Sequence, residues 1–295
     1  MSSDTVLLDR STTPGVADHA VPLIGPATGR ALHVMSYNIR FHHSGTHAGN
    51  PDHWPDRAPR LARLLQLEQP TLLGVQEALH HQLPAVERAL PAGYRMVGYG
   101  RAGGSKGEYS AIFYDARRLE LVEWDQFWLS GTPELIGSTT WGNDIPRIVT
   151  WGRFLDRGTG TDLVLVNTHF DHGSETARDR SAEALVELVH SFHPHTPTLV
   201  TGDFNAEAGD SGAYETLVGS GVLADTWTAA EERLTPAWGT FPDYGEAVEG
   251  EERIDWVLAG PGVRVRRAAI NTARFAGGHP SDHAPVQALV TLDRD

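Results

Sequence analysis

Two stretches of this chain repeat one pattern: an apolar strand, a polar loop, an amphipathic helix, a second apolar strand and then an acid. In the first, the alternating run Ala31 to Ile39 leads through a His/Gly/Asn loop to an Arg/Leu-rich helical stretch from about Pro55 to Glu68. The buried-strand run Thr71 to Gln76 follows, and then Glu77. In the second, Asp162 to Asn167 leads through a polar turn to a helix from about Ser174 to Phe192, the Pro-bounded strand Pro197 to Thr201, and Asp203. A strand–helix–strand unit favours parallel strands with the helix laid over one face. Each unit therefore delivers a carboxylate to the end of its second strand. The two align in spacing and pattern, with few identities.

Between and after the units lie antiparallel-looking strands: Tyr94 to Tyr99, Tyr109 to Tyr114, Leu119 to Leu129, Ile148 to Leu155, Ile254 to Leu258, Val263 to Ile270 and Ala284 to Leu292. So many strands with few helices predict an α+β domain of two packed mixed sheets flanked by helices. A chain of 295 residues with 40% hydrophobic content can bury such a core. No segment reads as an interdomain linker, so one catalytic domain is expected over 31–295. Residues 1–30 mix Ser, Thr, Asp, Gly and Pro around two brief apolar patches and read as a flexible tail or edge extension.

The absence of cysteine removes disulfides, thiolate metal sites and cysteine nucleophiles, so any metal must bind through oxygen or imidazole. The net charge is −14, and Lys106 is the single lysine. Proteins that hold long polyanions usually neutralise phosphates with a basic surface, which disfavours nucleic acid as the substrate. Residues 1–30 lack a basic region followed by an apolar run of signal-peptide length, and no run of about 18 apolar residues occurs. A soluble, cytoplasmic protein without membrane association is expected; nothing points to a protein partner.

Five polar fragments follow apolar strands or precede a closing one: Ser36-Tyr37-Asn38, Gln76-Glu77, Asn167-Thr168-His169, Gly202-Asp203-Phe204-Asn205 and Ser281-Asp282-His283. Alone, each has a bland reading. Glu77 would open a surface helix, where acids suit the helix dipole; Asp203 and Asn205 would form an Asx turn; Asp282 and His283 are neighbours whose side chains diverge on a strand. Asp255 differs, because Ile254 and Trp256 would face a core and leave its carboxylate on the opposite face in need of a partner. Together the fragments supply oxygen ligands for a hard divalent cation and two histidines able to move protons near neutral pH.

In this order the fragments resemble those of the endonuclease/exonuclease/phosphatase superfamily, over residues 33–292. The resemblance implies a four-layer α/β/β/α sandwich of two mixed β-sheets with the site at one rim, and phosphoester hydrolysis with Mg²⁺ or Mn²⁺. By position it implies Glu77 as principal metal carboxylate, with Asn38 beside it and Asp282 at the metal edge. Asp203 and Asn205 resemble the pair that holds the phosphate and the attacking water. His283 resembles the proton-transfer histidine, Asp255 its carboxylate partner, and His169 the histidine that contacts the phosphate or protonates the leaving group. Whether His283 or Asp203 removes the water proton stays open, with His283 preferred.

Three segments are expected to wall the site: 101–109, 127–147 and 227–253. Arg147 is a candidate phosphate clamp, since a guanidinium can bind two phosphate oxygens at once; Arg178 is a second. Five acids between Asp243 and Glu252, with no basic residue among them, would repel an extended nucleic-acid backbone if they lie near the cleft. His42, His43, His47 and His53 lack the regular spacing of a helical metal site, and six tryptophans from Trp124 to Trp238 include candidates to line the pocket beside Arg147. The leading expectation is hydrolysis of a phosphate ester on a small metabolite, such as a sugar phosphate or nucleotide. The alternatives are a nuclease acting on DNA or RNA and, from another class, a non-catalytic binding module on the same scaffold.

Overall fold

A computed structural model describes residues 21–292. Strand β1 (Ala31–Asn38) is followed by helix α1 (Trp54–Glu68), β2 (Leu72–Gln76), the two-residue β3 (Ala78–Leu79), α2 (Leu83–Ala89), β4 (Tyr94–Val97), β5 (Glu108–Tyr109), β6 (Ile112–Asp115) and β7 (Leu119–Trp128). Then come β8 (Ile148–Asp156), β9 (Thr161–His169), α3 (Glu175–Ser191) and β10 (Thr198–Asp203). The chain closes with short helices α4 (Gly212–Tyr214) and α5 (Thr226–Ala229), strands β11 (Ala224–Asp225) and β12 (Glu232–Arg233), and β13 (Asp255–Ala259), β14 (Val263–Ile270) and β15 (Val286–Leu292).

Seven strands form one sheet in the order β12-β14-β15-β1-β2-β6-β4, and six form a second in the order β11-β13-β10-β9-β8-β7. The two repeated units are present as read: β1 pairs parallel with β2, and β9 with β10. The sheets pack face to face through Leu32, Val34, Leu72, Ile112, Phe154, Leu163, Leu165, Leu199, Val257 and Val290. On the outer face of the first sheet, Met35, Tyr37, Leu73 and Val75 meet Leu61, Leu64 and Leu65 of α1 and Val86 of α2. On the outer face of the second, Val164, Val166, Val200 and Leu258 meet Ala182 and Leu185 of α3. The result is the expected four-layer α/β/β/α sandwich of α+β class.

Side chains on a strand alternate between faces, so each strand has a fixed inner set. For β1 that set is Leu32, Val34, Ser36 and Asn38; for β9 it is Leu163, Leu165, Asn167 and His169; for β10, Leu199, Thr201 and Asp203; for β13, Asp255, Val257 and Ala259. At one end the inner faces are apolar, and at the other they are polar. Between the two, Asn167 ties the sheets together: its amide donates to the carbonyls of Val75 (2.9 Å) and Ala111 (3.0 Å) and accepts from Gln76 Nε2 (2.7 Å) and Thr201 Oγ1 (3.0 Å). Gly74 makes room for this, since a Cβ there would collide with Thr201 Oγ1 and Asn167 Oδ1.

Of the expected tail, residues 1–20 lie outside the described residues. Residues 23–25 are held to the domain: the backbone N–H groups of Leu23, Ile24 and Gly25 donate to the buried carboxylate of Glu68 at 2.8–3.2 Å. Glu68 is the last residue of α1 on its core-facing stripe, and these donors, with Asn271 Nδ2 at 3.1 Å, satisfy a charge that burial would otherwise penalise. Among the described residues no helix is long and apolar enough to cross a membrane.

Candidate active site

Strand register places three of the expected residues in a row. Asp203 on β10 lies opposite His169 on parallel β9 and opposite Asp255 on antiparallel β13. All three belong to the inner face at its polar end. Facing them from the first sheet, Asn38 ends β1 beside Gln76 of β2. Glu77 follows Gln76 and would point to the other face of a continued strand. Its φ of +63° breaks the alternation and brings its carboxylate to the same rim. Arg40 (φ +57°) and Asn205 (φ +47°) are likewise left-handed, and such backbone cost is tolerated where the surroundings fix it. Asp203 and Asn205 do form an Asx-type turn, Asn205 N–H donating to Asp203 Oδ1 at 3.0 Å, and this leaves Oδ2 for the site.

Asn38 Nδ2 is the hub. It lies 2.9 Å from Glu77 Oε1, 2.9 Å from Asp203 Oδ2 and 3.4 Å from His283 Nε2. One ligand atom each from Glu77, Asp203 and His283 falls within 4.8 Å of the others, the one such group of three among the described residues. Asp282, expected at the metal edge, stands outside that trio. Its Oδ2 is 3.5 Å from Arg40 Nε, and its Oδ1 accepts from Ser281 Oγ at 3.1 Å. Arg40 also approaches Glu77 Oε2 at 3.8 Å and Asp52 Oδ2 at 3.4 Å.

His283 Nδ1 is 2.8 Å from Asp255 Oδ2, and both residues are buried. Burial alone would lower the pKa of His283, but the carboxylates of Asp255 and Asp203 outweigh it and hold the imidazole well above its ordinary value. Burial, with the charge of Asp255 beside it, pushes Asp203 up to about 7 against the pull of His283. His169 behaves oppositely: burial and the nearby cations Arg147 and Arg101 press its pKa well down, so it is neutral near pH 7. Its Nε2 is 3.0 Å from Asn205 Nδ2, which also donates to Phe170 O.

Glu77, His169, Asp203, Asn205, Asp282 and His283 line a cleft of about 460 Å³. The segments expected to wall it each contribute: Arg101 and Glu108 from the first, Ile145 and Arg147 from the second, Phe241 from the third. Arg147 is 4% exposed, with Nε 3.3 Å from Asp171 Oδ2 and one terminal nitrogen 2.9 Å from His172 Nδ1; its other terminal nitrogen is buried and unpartnered. Arg178 does not line the cleft. One terminal nitrogen of its guanidinium donates to the carbonyls of Asp171 (3.0 Å) and His172 (3.3 Å), where it braces the loop that carries Arg147's partners. None of the tryptophans lines the cleft; its aromatic wall is Phe41 and Phe241. The acidic stretch runs past the site, Asp243 N–H donating to Asp282 O at 3.1 Å, while Glu246 is taken up by Arg274.

Sequence reasoning passed over Arg40, Phe41, Phe241 and the support beneath them. The fully buried Arg57 donates to the carbonyls of Ile39, Arg40, Phe41 and Pro280 at 2.9–3.3 Å, gathering the β1–α1 loop and the 280 turn under the site. A signal for it existed: Arg57 sits on the stripe Trp54, Leu61, Leu64, Leu65, where a helix faces the core.

Two-sheet α/β/β/α sandwiches that gather carboxylates and imidazoles at one rim are the class of protein that this fold and site define. Residues 35–283 match the sequence model of the Endonuclease/Exonuclease/phosphatase family, and the chain belongs to that family. A mannosyl-6-phosphatase from Bacteroides thetaiotaomicron shares 35% identity at a TM-score of 0.81, over 88% of this chain and 100% of that one. The human Nocturnin catalytic domain shares the fold at a TM-score of 0.70 with 18% identity, over 90% and 96%. In sequence, Protein angel of Drosophila melanogaster is 27% identical over 241 residues, 76% of this chain and 65% of that protein. The chain thus spans under two thirds of the length of this curated relative.

Proposed function

We propose that the protein is a divalent-metal-dependent phosphatase that releases phosphate from a small phosphorylated metabolite, a sugar phosphate or a molecule of similar size. The observation that carries this reading is a single cleft with carboxylates and an imidazole clustered within 4.8 Å on one wall and a buried arginine with an unpartnered nitrogen on another. A volume of about 460 Å³ falls in the small-molecule range of roughly 300–1,000 Å³. The 35% identical mannosyl-6-phosphatase and the net charge of −14 support the same choice over DNA or RNA.

The donor set fits a hard cation. Glu77 and Asp203 would hold Mg²⁺ or Mn²⁺ through oxygen, with the Asn38 amide beside them and Asp282, engaged by Arg40, at the edge. When bound, the cation neutralises charge on a phosphate oxygen and acidifies water. His283 takes the proton of the attacking water at Nε2, while Asp255 fixes its tautomer through Nδ1. Asn205 Nδ2, 3.0 Å from His169 Nε2 and donating to Phe170 O, holds neutral His169 on the cleft wall, and Arg147, lining the same cleft, supplies positive charge where negative charge develops on the phosphate oxygens.

The test is a panel of phosphorylated metabolites beside single- and double-stranded oligonucleotides at low salt, reading free phosphate and chain cleavage separately. Metal-dependent phosphate release from small monoesters, abolished by chelator, is expected. Faster oligonucleotide cleavage, or full activity in excess chelator, would refute the reading.

A further inference from the structure

Two cleft residues, Arg101 and Glu108, have no task in the chemistry above. They bracket a glycine-rich loop closed on itself by backbone hydrogen bonds: Arg101 N to Glu108 O at 2.9 Å, Ala102 N to Lys106 O at 3.1 Å and Gly103 N to Gly100 O at 2.8 Å. Glu108 opens β5, which pairs with β3, Leu79 lying opposite Glu108 and Ala78 opposite Tyr109. Because β3 begins directly after Glu77, the backbone fixes the pair's position relative to the proposed metal carboxylate. Trp128 Nε1 donates to Arg101 O at 2.8 Å and anchors the other end.

Arg101 meets Glu108 Oε1 through one nitrogen at 2.6 Å, the side chains being 18% and 16% exposed. No other side-chain hydrogen bond of either is formed among the described residues. A largely buried ion pair returns little stability against the cost of desolvating both charges. What it does offer is a spare anionic acceptor beside spare cationic donors, facing one space. That arrangement complements two adjacent hydroxyls, one donating to the carboxylate and the other accepting from the guanidinium. A second phosphate would be repelled by Glu108.

We infer that Arg101 and Glu108 form a hydroxyl-reading subsite that selects a phosphorylated polyol, such as a hexose phosphate; this rests on the phosphatase reading. The experiment compares kcat/KM for a hexose 6-phosphate, its monodeoxy analogues and phenyl phosphate in wild type, Glu108→Gln and Arg101→Gln. Wild type should prefer the hexose phosphate, and each substitution should lower the hexose-to-phenyl ratio about tenfold or more, chiefly through KM, as expected for losing a charged hydrogen bond. At least one deoxy analogue should lose about as much in wild type and little further in Glu108→Gln. A ratio that stays constant in both variants overturns the subsite, as does a wild type indifferent to every deoxy change. If a variant fails to fold, the wild-type deoxy series decides alone. Phosphate released from phenyl phosphate with no hexose preference leaves the phosphatase reading standing and sinks only the subsite. No release from any monoester sinks both.

Discussion

Replacing Asp255 with asparagine changes one charge and almost no volume. The carboxylate lies 2.8 Å from His283 Nδ1, and both side chains are buried. Burial pulls the imidazole's pKa down, and the negative charge of Asp255 is the largest influence opposing it. An amide removes that charge. Its NH₂ group can also turn to Nδ1, which would move the ring proton onto Nε2, the atom meant to accept one. Loss of a positioned acid/base group is worth about 10²–10⁴ in rate, and kcat/KM should fall within that range. A second effect has a definite sign. A general base works unprotonated, so wild-type kcat/KM should rise with pH through the raised pKa of His283, and in Asp255→Asn this acid limb should move to lower pH. Asp255→Asn relieves the repulsion with Asp203 across β10 and β13 but also breaks the buried pair with His283, so the melting temperature of the variant is measured beside its activity and the profile is taken well below it. The assay is a pH profile of kcat/KM at saturating Mg²⁺ and constant ionic strength. A loss below about tenfold with an unmoved acid limb would refute the assignment of His283 and Asp255.

Three further outcomes are expected. Millimolar Mg²⁺ or Mn²⁺ should raise the melting temperature of the wild type, since a ligand of the folded state stabilises it; Glu77→Gln should lose most of that shift, and an equal shift in both would remove Glu77 from the ligand set. Gly74→Ala should destabilise by about 2–4 kcal/mol, from overpacking of about 1–3 kcal/mol plus about 1 kcal/mol for one Asn167 hydrogen bond displaced by the new Cβ. Urea denaturation checks this against Gly173→Ala, whose Cβ would meet only Asp171 Oδ1 at 3.6 Å; equal midpoints would contradict the close approach of the sheets. His33 has its pKa lowered by burial, against the opposing charge of Glu68. Its unfolded form therefore takes up a proton first, so stability present above about pH 6.5 is lost as pH falls below it. The steepness should flatten in His33→Gln, measured by denaturation midpoints between about pH 7 and 5; an unchanged slope would exclude His33 as the titrating group.

The sandwich was legible because strand–helix–strand order and apolar alternation are local properties of the sequence. Asn38, Glu77, Asp203, Asn205, His169, Asp255 and His283 were legible because strand ends mark a rim. What was hidden depends on backbone conformation and on contacts between distant segments. The left-handed turn at Glu77 is not written in its residue type, and Arg40, also left-handed, reaches Asp282 only because Arg57 gathers both loops. Asn167, grouped by its neighbours with the site, is instead a structural bridge, one position deeper on the inner face than His169. Arg147 and Arg178 looked equivalent in sequence. They differ in place: Arg147 lines the cleft, whereas Arg178 lies outside its lining and turns one terminal nitrogen to the carbonyls of Asp171 and His172.

The inner-face register ties these observations to one cause. Two sheets that pack face to face must fill the space between them with every second residue of each strand, and those positions are apolar from Leu32, Leu163, Leu199 and Val257 across most of the sandwich. At the other end the same positions carry Asn38, His169, Asp203 and Asp255, where burial raises the cost of each charge. The raised pKa of Asp203 is a direct expression of that cost. A cation between Glu77 and Asp203 would offset it, as the protonated imidazole of His283 does in part. The apolar half of the interface thus supplies the stability that the polar half gives up. The polar cluster sits at the rim, where the inner-face alternation meets the cleft of about 460 Å³.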